Sequence, residues 1–400
     1  MIRLFSCLIL VSAFSLSAHA QFIPQKFGKG FQVVGKDSSF YLKFGFRFQN
    51  LHTSEWDVDD GEFSDYEGSF LVRRSRLKFD GWIHSSKLTY KLELGLSNRD
   101  IGGGTGPEFR RAANVILDAS IAYKFYKNLT IQFGQRKLPG NRERIVSSGN
   151  LQFVDRSRLN SRYNIDRDVG LQLLNKHTIG KQFIIRETIA FSQGEGRNVT
   201  QGIYGGYAYT FKAEFFPFGD FKSKGAYVGS DLKREETPKL ALAVAYDINN
   251  NAVRERGNLG SFIVDENGSY YGKDLKTLFI DMMFKYRGFS MMAEYADKKT
   301  SDDNPIVFDE SGTQIGTFYT GSALNVQAGY LLPSDWEIAA RFTNVNVDEL
   351  VDDVDENQYT LGISKYIVGH KLKVQTDFTL RDRDMSSNKF IWRTQVDVHF

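Results

Sequence analysis

A run of evenly spaced cations occupies residues 69–80, which read Ser-Phe-Leu-Val-Arg-Arg-Ser-Arg-Leu-Lys-Phe-Asp. Arg74, Arg76 and Lys78 are two residues apart, so on a β-strand they share one face, with apolar residues on the other. On a strand that spans a membrane, each lipid-facing Arg or Lys near the midplane would cost about 2–4 kcal/mol. The spacing therefore predicts that this face looks into a polar lumen, where such groups attract anions.

The preceding segment extends this basic face. Phe40, Leu42 and the following aromatic residues alternate with Lys43, Gly45, Arg47 and Gln49. The two segments together predict a cationic wall on adjacent strands. Its members are Lys43, Arg47, Arg74, Arg76 and Lys78.

A second concentration of cations lies in the connection 138–167 and the two residues before it. From 136 to 167 there are eight Arg or Lys residues against three carboxylates, Glu143, Asp155 and Asp166. A connection of about thirty residues without helix or strand signals is functional or disordered. We predict a loop that folds into the pore and constricts it. The predicted anion contacts of this loop are Arg136, Lys137, Arg142, Arg144, Arg156 and Arg158.

A structural role for the same cations is an open alternative. Arginine inside a barrel often pairs with carboxylates and only supports the wall. Five carboxylates lie on predicted inner faces and are available as partners: Glu93, Asp118, Glu214, Asp377 and Asp397.

Signals of catalysis or metal binding are missing. Gly30–Lys36 resembles a phosphate-binding loop, but Asp37 stands where Ser or Thr is required. The histidines after the first twenty residues have no metal-ligand spacing, and there is no GxSxG or HExxH motif. The sequence predicts no catalytic residue, no metal and no cofactor. An enzyme built on dispersed Ser and His residues is the residual alternative.

Period-two alternation recurs from about residue 40 to the end of the chain. Examples begin at Leu88, Val115 and Leu372, each with apolar and polar residues in strict alternation. We count about sixteen such segments of about ten residues, typical of a transmembrane antiparallel β-barrel. The alternative architecture is a soluble all-β sandwich, which would need no aromatic belts.

The connections alternate in length, with short turns on one side and long loops on the other. Long loops are predicted at 51–68, 98–113, 138–167, 193–204, 248–274 and 299–320. The connection 216–237 breaks the rule, and it is either a long periplasmic turn or a region that hides strands. Two acidic stretches, 57–60 and 352–356, fall in predicted outer loops. They are interpreted as solvated charge, with cation-bridged lipopolysaccharide contact as the alternative.

Both ends of the chain suggest export to an outer membrane. Residues 1–20 have Arg3, an apolar stretch and Ala18-His19-Ala20, as a cleaved signal peptide does. The last nine residues alternate and close on Phe400, as expected of a strand that seals a barrel. The predicted organisation is therefore a signal peptide at 1–20, a periplasmic segment at 21–38 and a barrel at 39–400.

Several blocks resemble the phosphate-selective porin family. They are the run from Phe70 to Gly81, the segments 117–124 and 129–139, and Arg142–Ser157 followed by Arg167-Asp-Val-Gly170. The resemblance implies a sixteen-stranded barrel, usually trimeric, whose third long loop folds inward as the constriction. It also implies anion passage along a ladder of Arg and Lys. The residues at matching motif positions are Arg73, Arg74 and Arg76 and the loop residues Arg136, Lys137, Arg142 and Arg144.

One departure from the family pattern bears on the shape of the constriction. The residues at 138–141 are Leu-Pro-Gly-Asn, where the family has a Pro-Phe type of turn. Distant family members pass other solutes, so phosphate cargo does not follow from the resemblance alone.

These observations predict a diffusion porin of a Gram-negative outer membrane that prefers anions, with phosphate or polyphosphate as candidate cargo. Its expected partners are small anions, the lipid bilayer, lipopolysaccharide and two further copies in a homotrimer, and no nucleic acid. The alternatives are a general or other-solute porin of the same fold, and a structural or adhesive barrel whose lumen is plugged.

Overall fold

The computed structural model describes residues 20–102, 106–200 and 202–400. The predicted signal peptide lies outside them except for Ala20, which begins the first strand. Among the described residues, no helix is long and apolar enough to cross a bilayer.

The chain is nearly all β. The strands are β1 (Ala20–Ile23), β2 (Phe31–Gly35), β3 (Phe40–Asp59), β4 (Glu62–Ile83), β5 (Ser85–Gly95), β6 (Ile116–Tyr126), β7 (Leu129–Lys137), β8 (Arg167–Ile179), β9 (Phe183–Ser192), β10 (Ala208–Phe216), β11 (Lys239–Ala252), β12 (Lys273–Tyr286), β13 (Phe289–Thr300), β14 (Ile306–Phe308), β15 (Gln314–Thr317), β16 (Gly321–Leu331), β17 (Trp336–Val347), β18 (Glu356–Tyr366), β19 (Leu372–Arg383) and β20 (Asn388–His399). Three short helices interrupt the loops: α1 (Asn98–Ile101), α2 (Arg142–Ile145) and α3 (Arg158–Tyr163).

Sixteen of these strands, β3–β13 and β16–β20, form a closed antiparallel barrel. Each pairs with its neighbour in the chain, and the last strand returns to the first, with His399 opposite Arg47 and Asn388 opposite Val58. The predicted sixteen-stranded fold is confirmed. The residues predicted as a periplasmic segment form the β1–β2 hairpin, and β2 pairs with the start of β3.

The two faces of the wall have opposite polarity. On β12, Ile280 is 50 % exposed and points outward, whereas Asp281, next to it, is 3 % exposed inside the barrel. Tyr295, Leu324 and Leu361 are likewise exposed on the outside. An apolar exterior around a polar interior is the arrangement of a membrane barrel. It rules out the soluble sandwich, which would bury its apolar faces.

Three loop predictions need correction. The predicted loop 51–68 is strand, because Asp60 and Gly61 (φ 50° and 86°) form a two-residue hairpin turn between β3 and β4. The loop 138–167 contains α2 and α3, and the loop 299–320 contains the β14–β15 hairpin. The connection 216–237 hides no strand and is a long turn with one 3₁₀ helix.

Gly134 has a backbone role in the wall. It lies in the β6–β7 pairing opposite Ser120 with φ 119°, and an added Cβ would lie 2.2 Å from the carbonyl oxygen of Ala119. A side chain there must separate the two strands.

We therefore predict that Gly134→Ala lowers the unfolding temperature of the barrel in detergent, measured by circular dichroism. Gly180→Ala is the matched control. Gly180 also has positive φ (61°), but no atom lies within 4 Å of its added Cβ, so only a backbone cost of about 1 kcal/mol applies. If the unfolding temperature falls equally in both variants, the close contact between β6 and β7 at Gly134 is not the cause.

Candidate functional site

The basic face of β4 points into the barrel, as its spacing predicts. Arg74 and Arg76 are buried inside. The β3–β4 register shifts between Gln49 and Asn50, which leaves Arg73 as an extra, bulged residue that also turns inward. Nη2 of Arg73 lies 2.7 Å and Nη2 of Arg74 3.1 Å from the carboxylate of Asp155.

Arg47 and Arg76 tie the segment 138–166 to the wall. Arg47 makes a bidentate pair with Asp397 at 2.8 and 2.7 Å, and both arginines donate to Oγ of Ser148, at 2.7 and 3.0 Å. Arg76 also contacts Glu93 at 3.3 Å. Both arginines therefore link the segment to the wall. Arg47 is fully paired, whereas Arg76 also lines the cavities described below.

Arg142 fixes the same segment to the opposite side of the barrel. It is fully buried, and its guanidinium contacts Asp281 of β12 at 2.6 Å and Glu214 of β10 at 3.1 Å. A third bond at 3.1 Å reaches the carbonyl oxygen of Ala226. The carboxylates on both sides neutralise Arg142, so it acts as an anchor.

Further contacts extend from Arg142 around this side of the barrel. Gln152 donates to Ser290 (2.9 Å) and Glu337 (2.8 Å), and the amide of Val154 donates to Asp377 (3.1 Å). The segment 138–166 thus contacts inward side chains from β10 to β19, and its contacts cross the barrel interior.

The acidic stretch 352–356 belongs to this network, which corrects its interpretation as solvated charge. Arg162 contacts Asp353 at 2.5 Å, and Arg158 forms an ion pair with Glu356. Sequence alone places these partners about 190 residues apart, so no local pattern signals the pairing.

The long turn 217–238 enters the barrel from the other end. Nζ of Lys285 donates to the carbonyl oxygens of Val228 and Ser230, at 2.7 and 2.5 Å. The amide of Gly229 donates to the carbonyl of Asn150, at 2.7 Å. The two inward segments therefore meet and pack against each other.

Together they fill one side of the lumen. Inward side chains from β12 to β19 are almost completely covered, at 0–1 % exposure; they are Thr277, Lys298, Asn325, Thr343, Lys373, Gln375 and Asp377. The sector from β11 to β20 is therefore closed to solvent at the depth where the segments 138–166 and 217–238 lie.

The sector from β4 to β10 contains two open cavities. The loop-side cavity, of about 390 Å³, lies among the long loops, and the turn-side cavity, of about 530 Å³, lies towards the turn 217–238. Both cavities are lined by Arg76, Lys137 and Arg167, so they adjoin at these three cations.

The walls of both cavities are strongly cationic. Ten cations and three carboxylates line the loop-side cavity; its cations are Arg73, Arg74, Arg76, Arg99, Lys137, Arg144, Arg156, Arg167, Arg197 and Arg256. The turn-side cavity has eight cations against Glu93, Asp118 and Glu214; its cations are Arg76, Lys78, Lys91, Arg136, Lys137, Arg167, Arg186 and Lys224. The surplus of positive charge is seven in the first and five in the second.

Several of these cations bind only backbone oxygens. Lys137 donates to the carbonyls of Arg144 and Ile145, at 2.6 and 3.2 Å, and Arg156 to those of Glu143 and Val146, at 2.9 and 2.7 Å. Within the described residues, no carboxylate forms an ion pair with Arg99, Lys137, Arg156, Arg197 or Arg256. Carbonyl oxygens therefore hold Lys137 and Arg156 in place, without a described carboxylate partner.

Two carboxylates of the loop, Asp155 and Asp166, have lowered pKa values. Burial would raise the pKa of Asp166, but the charges of Arg144 and Arg167 outweigh burial and lower the pKa. Burial acts on Asp155 in the same way, and Arg73 and Arg74 lower its pKa well below the ordinary value. Both acids therefore keep their ion pairs in mildly acidic solution.

Seven of the eleven predicted site residues line the two cavities: Arg74, Arg76, Lys78, Arg136, Lys137, Arg144 and Arg156. The other four, Lys43, Arg47, Arg142 and Arg158, line neither. Sequence reasoning left out Arg73, Arg99, Arg167, Arg186, Arg197 and Arg256, together with Lys91 and Lys224. The double arginine at 73–74 pointed to Arg73, and the excess of cations from 136 to 167 pointed to Arg167. Isolated arginines in separate loops have no such local pattern.

Within the described residues, no group of His, Cys, Asp or Glu is placed to hold a metal ion. The geometry is that of a membrane barrel with two adjoining, cation-lined cavities on one side. A comparison with family models agrees: residues 47–390 match the model described as phosphate-selective porin O and P. The chain belongs to this porin family, and its barrel is the outer-membrane porin fold.

Solved structures share the fold at low sequence identity. The outer membrane channel DcaP of Acinetobacter baumannii is 13 % identical, with a TM-score of 0.54 over 92 % of this chain and 99 % of its own. An anion-selective porin from Comamonas acidovorans is 11 % identical, with 0.53 over 90 % and 100 %. The trimer form of OmpT from Vibrio cholerae is 12 % identical, with 0.51 over 89 % and 99 %. No curated protein sequence matches this chain.

We predict that Arg142→Gln releases the segment 138–166 from β10 and β12. Removing one partner of a buried ionic cluster leaves Asp281 and Glu214 uncompensated and costs about 3–5 kcal/mol. Single-channel recordings should show larger and noisier conductance with little change in selectivity, since Arg142 lines neither cavity. Arg110→Gln, at an exposed arginine in another loop, should have wild-type conductance. Unchanged conductance in Arg142→Gln would refute the role of Arg142 as an anchor.

We predict that strong acid weakens the ion pairs of Asp155 and Asp166, and that the channel current then becomes noisy. Asp155 and Asp166 have lowered folded-state pKa values, so their stabilisation is complete above the ordinary carboxylate pKa of about 4 and is lost below it. Single-channel traces should stay steady from pH 8 to 5 and become noisy only below about pH 4. Noise that begins near pH 6 would contradict the role of Asp155 and Asp166 in holding the segment.

Proposed function

We propose that this porin is an outer-membrane diffusion channel that passes anions in preference to cations. The observation that carries the proposal is the excess of cations over carboxylates around the two adjoining cavities. Family membership supports a channel rather than an enzyme. The anion-selective porin of C. acidovorans has the same fold, which is consistent with this selectivity but does not establish it.

The proposed route runs along the β4–β10 side of the barrel. An anion enters the loop-side cavity, passes Arg76, Lys137 and Arg167, and leaves through the turn-side cavity. The segments 138–166 and 217–238 close the remaining cross-section, so the ion cannot avoid these cations. We propose the segment 138–167 as the pore-constricting loop; its ion pairs with the barrel wall support this role.

Selectivity follows from fixed charge in a narrow space. A cleft lined by one sign of charge concentrates counter-ions and repels ions of the same sign. Guanidinium and ammonium donors replace part of the hydration shell of the anion at each step, while the neighbouring carboxylates prevent a tight trap. The anion therefore moves between several weak sites.

Phosphate or polyphosphate is the proposed cargo, and other small anions are the alternative. The family description supports phosphate. The geometry adds that Arg76, Lys137 and Arg167 converge between the cavities, where a multivalent anion can bind more than one cation. Arg47, Arg142 and Arg158 each form an ion pair with a carboxylate, and we propose structural roles for them instead of the predicted anion contact. The predicted anion contact of Lys43, which lines neither cavity, stays a prediction.

We also propose that the chain is exported by a cleaved signal peptide, lies in the outer membrane against lipopolysaccharide and assembles as a homotrimer. A trimer form of OmpT, with the same fold, supports the assembly. Anion passage by the proposed route needs only one barrel, so it does not depend on the trimer.

The experiment is the reversal potential of the purified protein in a planar bilayer across a KCl gradient, followed by titration with phosphate. We expect a chloride-selective potential and a current that phosphate reduces. Cation selectivity would overturn the proposal. A protein that inserts without conductance would be the plugged barrel, the alternative that the filled β11–β20 sector favours.

Arg99→Glu should weaken the anion preference. Arg99 is exposed in the loop-side cavity and has no carboxylate partner among the described residues, so its replacement removes no ion pair. We predict that the chloride-to-potassium permeability ratio falls by roughly twofold to fivefold. Lys181→Glu, the same charge change in an exposed turn that lines neither cavity, should leave the ratio unchanged. Equal shifts in both variants would indicate a general surface effect.

A further inference from the structure

The β3–β4 hairpin extends well past the barrel wall. Its strands have 20 and 22 residues, whereas about 9–11 residues suffice to cross a bilayer. β5 pairs with β4 only from Arg76 onward. Residues 62–75 therefore have β3 on one side and, in the described part of the chain, no strand on the other.

This free edge is open to solvent. Every residue from 62 to 72 is exposed, including Phe70 at 84 %. Backbone groups on such an edge are free to bond with another strand, and proteins usually cover or disrupt long apolar edges. Here the stretch Phe70–Val72 is apolar and uncovered.

Aromatic rings stiffen the projecting sheet. The ring of Phe70 stacks on His52 at 4.2 Å, and His52 contacts Trp392 of β20 at 5.5 Å. Further out, Tyr66 packs on Trp56 at 5.2 Å. The hairpin thus forms a three-stranded sheet with β20. Its outer strand pairs regularly with β3 from Glu67 to Val72 and is bulged at Asp65 (φ 47°).

The hairpin carries a strong negative charge. Its carboxylates are Glu55, Asp57, Asp59, Asp60, Glu62, Asp65 and Glu67, and residues 53–68 include no Lys or Arg. Lys389 of β20 pairs with Glu55 and Asp57, at 2.7 and 3.1 Å. No described cation forms an ion pair with Glu62, Asp65 or Glu67, the three acids on the edge strand itself.

We propose that the free edge of β4 binds a cationic, extended segment of a partner protein, which adds to the sheet as a further strand. Main-chain hydrogen bonds would supply the affinity of such a strand addition, and alternate side chains the specificity. Cationic side chains would meet Glu62, Asp65 and Glu67, and apolar ones would cover Phe70. Edge-to-edge pairing of two copies is disfavoured, because it would bring the same carboxylates together. The inference is independent of which ion the channel passes.

The test uses the full chain in detergent micelles and a labelled ten-residue peptide of alternating Lys and Val or Tyr. Binding is measured by fluorescence anisotropy. A peptide whose amides are N-methylated at alternate residues has the same charge but cannot form the ladder. We expect the unmodified peptide to bind at least about tenfold more tightly than the methylated one.

Two charge-reversed proteins test the position of binding. The edge variant carries Glu62→Lys, Asp65→Lys and Glu67→Lys. The matched control carries Glu266→Lys, Asp303→Lys and Glu310→Lys, the same change at exposed acids of other loops. We expect the edge variant to lose at least about tenfold in affinity and the control to bind as wild type, while both retain the wild-type conductance.

Three results would overturn the proposal. Equal affinity for the methylated and unmodified peptides would show that charge attraction alone explains binding, without strand pairing. Equal losses in both variants would remove the edge as the site. Cross-linking of β4 to β4 between copies in the peptide-free protein would show that a second copy occupies the edge.

Discussion

A charge inside a barrel must be paired or hydrated, and this constraint organises the whole lumen. Asp281 and Glu214 hold Arg142 on one wall, and Asp397 holds Arg47 on another. These pairs connect the inward segment to opposite sides of the barrel. Because breaking a buried pair leaves an uncompensated charge, the segment is fixed as firmly as the wall that supports it.

The distribution of pairing divides the lumen into two functional parts. Where wall carboxylates match the incoming arginines, the two inward segments pack closely and exclude water. On the β4–β10 side the cations outnumber the acids, and the cavities remain open. Lys137 illustrates the difference, because backbone carbonyls position it and no described carboxylate forms an ion pair with it. The same residue type thus supports the fold in one place and lines the proposed route in another.

Period-two patterning predicted the barrel, its strand number and the inward direction of Arg74 and Arg76, because alternation in a strand is local. The five carboxylates that it placed on inner faces all pair with basic side chains, but it did not include Asp281, which holds Arg142. It could not find that Arg142 reaches the far wall, since this depends on contacts 72 and 139 residues away. The bulge at Arg73 breaks the period itself, and the polar residues between 51 and 68 concealed two strands joined by a two-residue turn.

The central claim is that ions pass on the β4–β10 side and that the other side is closed. The only cysteine of the sequence lies in the predicted signal peptide, so single cysteines can report access. Gln172 of β8 lines the turn-side cavity, whereas Gln375 of β19 is 1 % exposed. A small anionic thiol reagent should modify Gln172→Cys rapidly and reduce its conductance, and should leave Gln375→Cys unmodified. Similar modification rates at both positions would contradict the account.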